Sequence, residues 1–93
     1  MPRYRKKPVE IDAVQMTADL IEDELRHAPT WVREAHEGER VVPGFGGPSA
    51  HFFSVETDEG DMRGDAGDWL IRGVEGELYP CRDSVFRATY DAA

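Results

Sequence analysis

Hydrophobic and polar residues alternate from Val9 to Met16, near the start of the chain. A period of two residues is typical of a β-strand that buries one face. The alternation slips at Ala13 and Val14, where two apolar residues are adjacent. We therefore expect either a β-bulge or a strand that is covered on both faces.

Two amphipathic helices are predicted after this strand. Asp19 and Glu22 have the spacing of a capping box, and the apolar residues that follow favour a helix from about Leu20 to His27. Pro29 interrupts this pattern, and a second short helix is predicted from Trp31 to about His36. Beyond it, residues 38–50 are rich in glycine and proline, which predicts an ordered turn or a mobile loop.

The second half of the chain predicts short antiparallel strands separated by tight turns. Residues 52–57 alternate, and the turn after them is suited to a hairpin because Gly60 accepts a positive φ. Met62 belongs to the returning strand, and further strands are predicted at 69–72 and 77–79. From Asp83 we predict a turn of helix, followed by more helix or by an edge strand.

This order of elements predicts an α+β fold. We expect a small, mostly antiparallel, twisted sheet of four or five strands with one or two short helices on one face. A chain of 93 residues is long enough for one small domain, so we predict a single domain over residues 1–93.

Charge is distributed unevenly along the chain, which has a net charge of −8. The first seven positions form a basic arm that contains Arg3, Arg5, Lys6 and Lys7, and the remainder is strongly acidic. This balance argues against general nucleic-acid binding, which needs a basic surface, and suits a basic protein partner. The arm is either a solvated terminus or a segment that binds its own body, a neighbouring subunit or a polyanion.

Other classes of protein are excluded by simple counts. No apolar run approaches the roughly 20 residues of a membrane-spanning helix, and the basic start lacks the apolar stretch of a secretory signal. The single cysteine, Cys81, cannot form an intrachain disulfide, which favours an intracellular, cytoplasmic protein.

A longer pattern runs from Ala66 to Tyr90. It comprises Gly-Asp-Trp, an aliphatic pair, a basic residue, Gly-x-x-Gly-Glu, then Tyr-Pro-Cys and finally Phe-x-x-x-Tyr. With the opening segment Tyr4–Gln15, it resembles a family of small bacteriophage and prophage proteins that has no assigned reaction. The two segments cover about two fifths of the chain, and Ala66 stands where such proteins often have proline. The resemblance implies a phage origin and the cytoplasm of an infected bacterium, and it implies no activity.

Trp69 has two interpretations. It is either a structural residue buried beside the turn at Gly67, or one wall of a pocket that stacks a flat, nucleotide-like ligand. In the second case Tyr79 lies nearby, and Arg72 or Arg82 contacts an anionic group of the ligand.

Acidic residues cluster between positions 56 and 68. We call this set the acidic rim; its members are Glu56, Asp58, Glu59, Asp61, Asp65 and Asp68. Their spacing does not fit a calcium-binding EF-hand loop, so we predict a solvated surface and no metal. Within it, Asp58, Glu59, Asp61 and Asp65 are candidates for contact with a partner.

Cys81 is the candidate nucleophilic cysteine. Such a cysteine needs a general base, and His27, His36 and His51 are too far away in sequence to be placed beside it. We therefore predict a non-enzymatic protein without a cofactor. The leading hypothesis is an accessory protein that binds a host or phage protein through the acidic rim and exposed aromatic residues. The alternatives are a protein that sequesters a nucleotide-like ligand and a structural protein that self-associates, for example as a homodimer.

Overall fold

Two antiparallel three-stranded sheets organise the molecule. The computed structural model describes residues 2–4, 9–46 and 50–92. One sheet has the strand order β1-β5-β6 and the other has the order β2-β3-β4. In chain order the elements are β1 (Asp12–Gln15), α1 (Ala18–Glu22), α2 (Thr30–Glu37), β2 (Val41–Phe45), β3 (His51–Thr57), β4 (Gly60–Asp65), β5 (Trp69–Arg72), β6 (Leu78–Cys81) and α3 (Asp83–Thr89).

The predicted α+β class is confirmed, and so is the antiparallel pairing of the strands. The described residues form six strands where we predicted four or five, and three short helices where we predicted one or two. The strands form two sheets instead of one. Buried residues from both sheets pack together, so the contact between the two small sheets builds the core.

The core lies between the two sheets and the first two helices. It is apolar throughout and draws on all of these elements. Its buried residues are Met16, Ile21, Leu25, Ala28, Val32, Ala35, Val41, Phe53, Val55, Leu70 and Leu78.

The hairpin of β3 and β4 forms as the sequence predicts. Gly60 has a φ of 104° in the turn, a conformation that residues with a Cβ rarely adopt. Phe53 is fully buried and lies opposite Gly64 in the register. A Cβ atom at position 64 would overlap the Phe53 ring, so glycine is required there to admit the aromatic side chain.

Strand β5 separates two apolar environments. Val14 pairs with Leu70, and Ala13 pairs with Ile71. Adjacent residues of a strand point to opposite faces, so Leu70 packs into the core while Ile71 is buried on the other face. The irregular alternation in β1 therefore reflects a strand covered on both faces, and the ladder continues through Ala13 and Val14 without a bulge.

The first helix differs from its prediction at both ends. Thr17 is the N-cap, because its Oγ1 accepts a hydrogen bond from the backbone N–H of Leu20 at 3.2 Å. The capping box predicted at Asp19 is therefore wrong. The helix ends at Glu22, and Glu24 and Leu25 then adopt positive φ values of 55° and 64°. This left-handed turn directs Leu25 into the core.

Part of the loop predicted over residues 38–50 is a strand. Val41–Phe45 pairs with β3 along its whole length. It accommodates Pro43 because β2 lies at the edge of its sheet, where a missing N–H is tolerated. Residues 47–49 of the predicted loop and residues 5–8, which include most of the predicted basic arm, lie outside the described residues.

Candidate functional site

Helix α3 packs on the face of β5 that points away from the core. The ring of Phe86 stacks on Trp69 with centroids 3.8 Å apart and planes inclined by 8°. Tyr90 continues the series, with its ring centroid 5.1 Å from that of Phe86. The spacing of four residues puts Phe86 and Tyr90 on one side of the helix, so the two rings follow each other along the sheet.

A polar clamp at Asp83 anchors the start of α3. The indole Nε1 of Trp69 donates a hydrogen bond to Asp83 Oδ1 at 2.9 Å. The guanidinium Nε of Arg87, one turn further along the helix, lies 2.9 and 3.0 Å from the two carboxylate oxygens. These donors favour the ionised form, so the bond from Trp69, and then the bond from Arg87, lower the pKa of Asp83.

Asp68 ties the clamp to the preceding turn. Its Oδ1 accepts a hydrogen bond from the backbone N–H of Asp83 at 3.3 Å, and its Oδ2 accepts one from the backbone N–H of Asp65 at 3.0 Å. Gly67 lies between Asp65 and Asp68 and has a φ of 99°, which explains why the Gly-Asp-Trp sequence is suited to this turn. Asp68 is therefore engaged in holding the local backbone.

Tyr79 lies on the same face of the sheet, beneath the end of α3. It pairs with Ile71 in the register, and its side chain lies near that of Tyr90. Burial raises the pKa of the Tyr79 hydroxyl above its ordinary value, and hydrogen bonding with Tyr90 raises it further. Tyr79 therefore stays neutral at physiological pH.

A groove of about 330 Å³ lies between the first strand and α3. This volume is at the lower end of the range for small-ligand pockets, about 300–1,000 Å³. Its walls are mainly apolar and aromatic, and the two charged residues of its described lining, Glu10 and Asp91, are both acidic. The lining comprises Val9, Glu10, Ile11, Ala13, Trp69, Phe86, Tyr90, Asp91 and Ala92.

The structure separates the aromatic and basic residues that we predicted would share a pocket. Trp69 reaches the groove, but Phe86 already covers one face of its indole ring. Arg72 lies on the opposite face of β5, where its guanidinium pairs with Asp12 at 2.6 Å. It also lies 5.0 Å from the centroid of the Trp31 ring. A stacking site built from Trp69 and Arg72 is therefore not assembled.

Arg82, the other candidate cation, is the N-cap residue of α3 and is exposed to solvent. It follows directly on β6, whose last residue, Cys81, pairs with Trp69. Its backbone carbonyl accepts a hydrogen bond from the backbone N–H of Phe86 at 2.8 Å, in the first turn of the helix. It lies beside the start of α3, and the described lining of the groove is formed by other residues.

The acidic rim divides into two groups. Asp58, Glu59 and Asp61 lie at the tip of the β3–β4 hairpin, whereas Asp65 and Asp68 lie at the other end of β4. Asp61 and Asp65 are four residues apart on β4, so roughly 13 Å separates the two groups. Asp65 also pairs with Arg63 at 3.2 Å. The predicted partner-contacting residues therefore form two surfaces, and the hairpin tip contains three of the four.

The environment of Cys81 does not activate its thiol as a nucleophile. Burial raises the pKa of its thiol, and the nearby Asp68 carboxylate raises it further, so the thiolate is disfavoured at neutral pH. The three histidines have separate partners: His27 contacts Asp23, His36 bonds to the Val41 carbonyl, and His51 lies near Glu22. Among the described residues, no three acidic, histidine or cysteine side chains converge as metal ligands do.

The aromatic residues are more buried than the sequence led us to expect. Phe53 is fully buried, and most of the others are half-buried beneath α3 or between the strands. Phe45, at 52%, and Tyr4, at 92%, are the described aromatic residues with large exposure. Neither of these two lines the groove, whose aromatic wall is formed by the half-buried Trp69, Phe86 and Tyr90.

Sequence reasoning missed Ile11, Ala13 and Asp91 as neighbours of Trp69. The spacing of Phe86 and Tyr90 was the available signal, because it places two rings on one helical face. The residues on the other wall come from the opposite end of the chain, and local patterns do not report such contacts.

Comparison of the chain with protein-family models, curated proteins and solved structures yields no match. Across residues 2–4, 9–46 and 50–92, no helix has both the length and the apolar character needed to cross a membrane.

Proposed function

We propose that this chain is a non-enzymatic bacteriophage accessory protein that acts by binding a host or phage protein with a basic contact surface. The groove between the first strand and α3 is the observation that carries the proposal. Its described lining is mainly apolar and aromatic, and its two charged residues, Glu10 and Asp91, are acidic. Protein interfaces are enriched in aromatic residues at their centres, and the aromatic lining of the groove fits such a role.

Net charge favours a basic partner. The whole chain has a charge of −8, and three basic residues outside the arm, Arg63, Arg72 and Arg87, are already in ion pairs. An acidic surface attracts a basic partner over long range and increases the rate of association. The hairpin tip with Asp58, Glu59 and Asp61 would add to this attraction. The phage origin rests on the sequence resemblance described above.

The groove is less suited to a nucleotide-like ligand. A nucleotide brings negative phosphate groups, which Glu10 and Asp91 would repel. Arg72, the cation that we expected to neutralise a phosphate, lies on the other face of the sheet and pairs with Asp12. A ligand with positive charge is the better complement.

Affinity capture from bacterial lysate, with matched charge-reversal variants, tests the proposal. The groove variant is Glu10→Lys/Asp91→Lys. The control is Glu34→Lys/Glu37→Lys, which makes the same change in net charge on exposed positions of α2. We expect the wild type and the control to retain the same protein and the groove variant to lose it.

Three results would contradict the proposal in different ways. Equal capture by all three proteins would exclude the groove as the contact, and loss only in Asp58→Lys/Glu59→Lys/Asp61→Lys would assign the contact to the hairpin tip. Capture of nothing by the folded protein, together with quenching of Trp69 fluorescence by nucleotides, would favour the nucleotide-binding alternative. Circular dichroism spectra of each variant would show that it is folded.

A further inference from the structure

Strand β1 has one unpaired edge within the part of the chain that the structure describes. It is the outer strand of the order β1-β5-β6. The ladder with β5 continues beyond the strand, where the backbone N–H of Met16 donates to the carbonyl of Asp68 at 2.8 Å. Only alternate residues of an antiparallel strand bond to a given neighbour. Asp12 and Val14 therefore face β5, and the backbone groups of Ala13 face the open edge.

The same residues that face the open edge also line the groove. Val9, Ile11 and Ala13 occupy alternate positions in the sequence, with Ala13 in β1 and the other two just before it, and all three belong to the groove lining. Side chains at alternate positions share one face of a strand. Free backbone groups and an apolar groove are therefore side by side.

We propose that a partner binds here in an extended conformation, by adding a strand to β1. Its backbone would pair with Ala13 and Ile11, and every second side chain would enter the groove beside Trp69 and Phe86. The entering side chains would be apolar, and a lysine or arginine next to them would reach Glu10 or Asp91. This inference rests on the proposed function and specifies the chemistry of the partner.

Charge favours a basic partner over a second copy of this chain as the occupant. Antiparallel pairing of two β1 edges about a twofold axis would bring Glu10 and Asp12 of each copy near their equivalents. Each copy has a net charge of −8, and both charged residues of the described groove lining are acidic. Such a pairing would be repulsive, whereas a peptide with lysine or arginine would be attracted.

The first test uses random linear peptides displayed on particles and selected for binding to the whole wild-type chain. We expect recovered peptides to be enriched in lysine or arginine beside aliphatic or aromatic residues. They should bind the Glu34→Lys/Glu37→Lys control as well as the wild type. Their affinity for Glu10→Lys/Asp91→Lys should fall about tenfold or more, because attraction is replaced by repulsion.

The second test asks whether the recovered peptide binds as a strand. The best peptide is synthesised in versions that are N-methylated at one backbone nitrogen at a time. In an added strand, alternate nitrogens point toward β1, so methylation should lower affinity about tenfold at every second position and have little effect between them. The side chains are identical in all versions, so each is a control for the next.

Several results would overturn strand addition. These are the absence of recovered peptides, enrichment without basic residues, and a loss of affinity that does not alternate along the peptide. A wild-type dimer in sedimentation that dissociates in Glu10→Lys/Asp91→Lys would show that a second copy occupies the groove. If lysate capture still depends on Glu10 and Asp91 in these cases, the proposed function stands and only the binding mode is wrong.

Discussion

The two faces of strand β5 are built differently. Leu70 faces a core that contains side chains from both sheets and from α1 and α2. Its neighbour Ile71 is equally buried on the other face, but the element that covers this face is α3, every residue of which retains some exposure to solvent. One face is closed by dense apolar packing, and the other by a short helix held at its surface.

We therefore expect the core face to determine the stability of the fold and the α3 face to take part in binding. Burial of apolar side chains supplies most of the folding free energy, so the core face should govern global unfolding. The α3 face depends on one aromatic stack and on hydrogen bonds at Asp83, which are partly exposed and individually weak. Regions with little buried apolar surface open locally at low free-energy cost, and binding sites are often found there.

The largest effect is expected from Phe53→Ala, which truncates the largest fully buried side chain of the core. Removal of a buried phenylalanine ring leaves a cavity and costs about 3–5 kcal/mol of unfolding free energy. Urea denaturation measures this as a lower midpoint. If the variant does not fold, Val55→Ala makes a smaller cavity on the same strand and should still show a clear loss.

A loss of less than about 1 kcal/mol of unfolding free energy in Phe53→Ala would contradict the expectation that the core face governs stability, because it would place the main stabilising packing elsewhere. Hydrogen exchange adds a second readout. Amides of β3 and β5 should lose protection together, since both strands contribute to one core.

An intermediate effect is expected from Phe86→Ala on the other face. Phe86 is half-buried, so we expect a loss of about 1–2 kcal/mol, from the burial of part of the ring and its stacking on Trp69. The loss should be local: near-ultraviolet circular dichroism and Trp69 fluorescence should change, and amides of α3 should exchange faster while those of β3 keep their protection.

Uniform loss of protection in Phe86→Ala would show that α3 and the core unfold as one unit. Val85→Ala is the matched control, because Val85 is an exposed residue on the same helix, 52% exposed, and its truncation removes little buried surface. We expect its spectra to match those of the wild type.

The smallest effect is expected at Asp83. The pKa of its carboxyl is lowered in the folded state, so its contribution to stability is present above the ordinary aspartate pKa of about 4 and is lost as pH falls through the folded value. Wild-type Trp69 fluorescence should therefore change at acid pH as the clamp is protonated. Asp83→Asn should show a weaker acid transition in Trp69 fluorescence and less ordered α3 amides at neutral pH.

An acid transition of α3 that is unchanged in Asp83→Asn would exclude the clamp as its cause. Asp91→Asn is the control, since Asp91 lies near the same helix but outside the clamp. It should leave the transition in place.

Local sequence was enough for the elements whose chemistry is local. The alternation in β3, the positive φ of Gly60 and the turn at Gly67 were all predicted, because each depends on a few adjacent residues. The strand β2 was missed because glycine and proline there are tolerated only at a sheet edge, and edge position is a property of the assembled sheet. The early end of α1 was missed because the burial of Leu25 offsets two unfavourable φ values.

The candidate site shows the same division. The sequence by itself determined an acidic α+β chain with antiparallel strands and a Trp69 next to a tight turn, since composition and short periodicities report local geometry and charge. Tertiary structure alone decided that Arg72 faces away from Trp69, that the acidic rim divides, and that residues 9–13 meet α3 to form a groove. The first and the last of these depend on contacts between residues more than 50 positions apart, whose geometry is set by strand order and register, which no local pattern specifies.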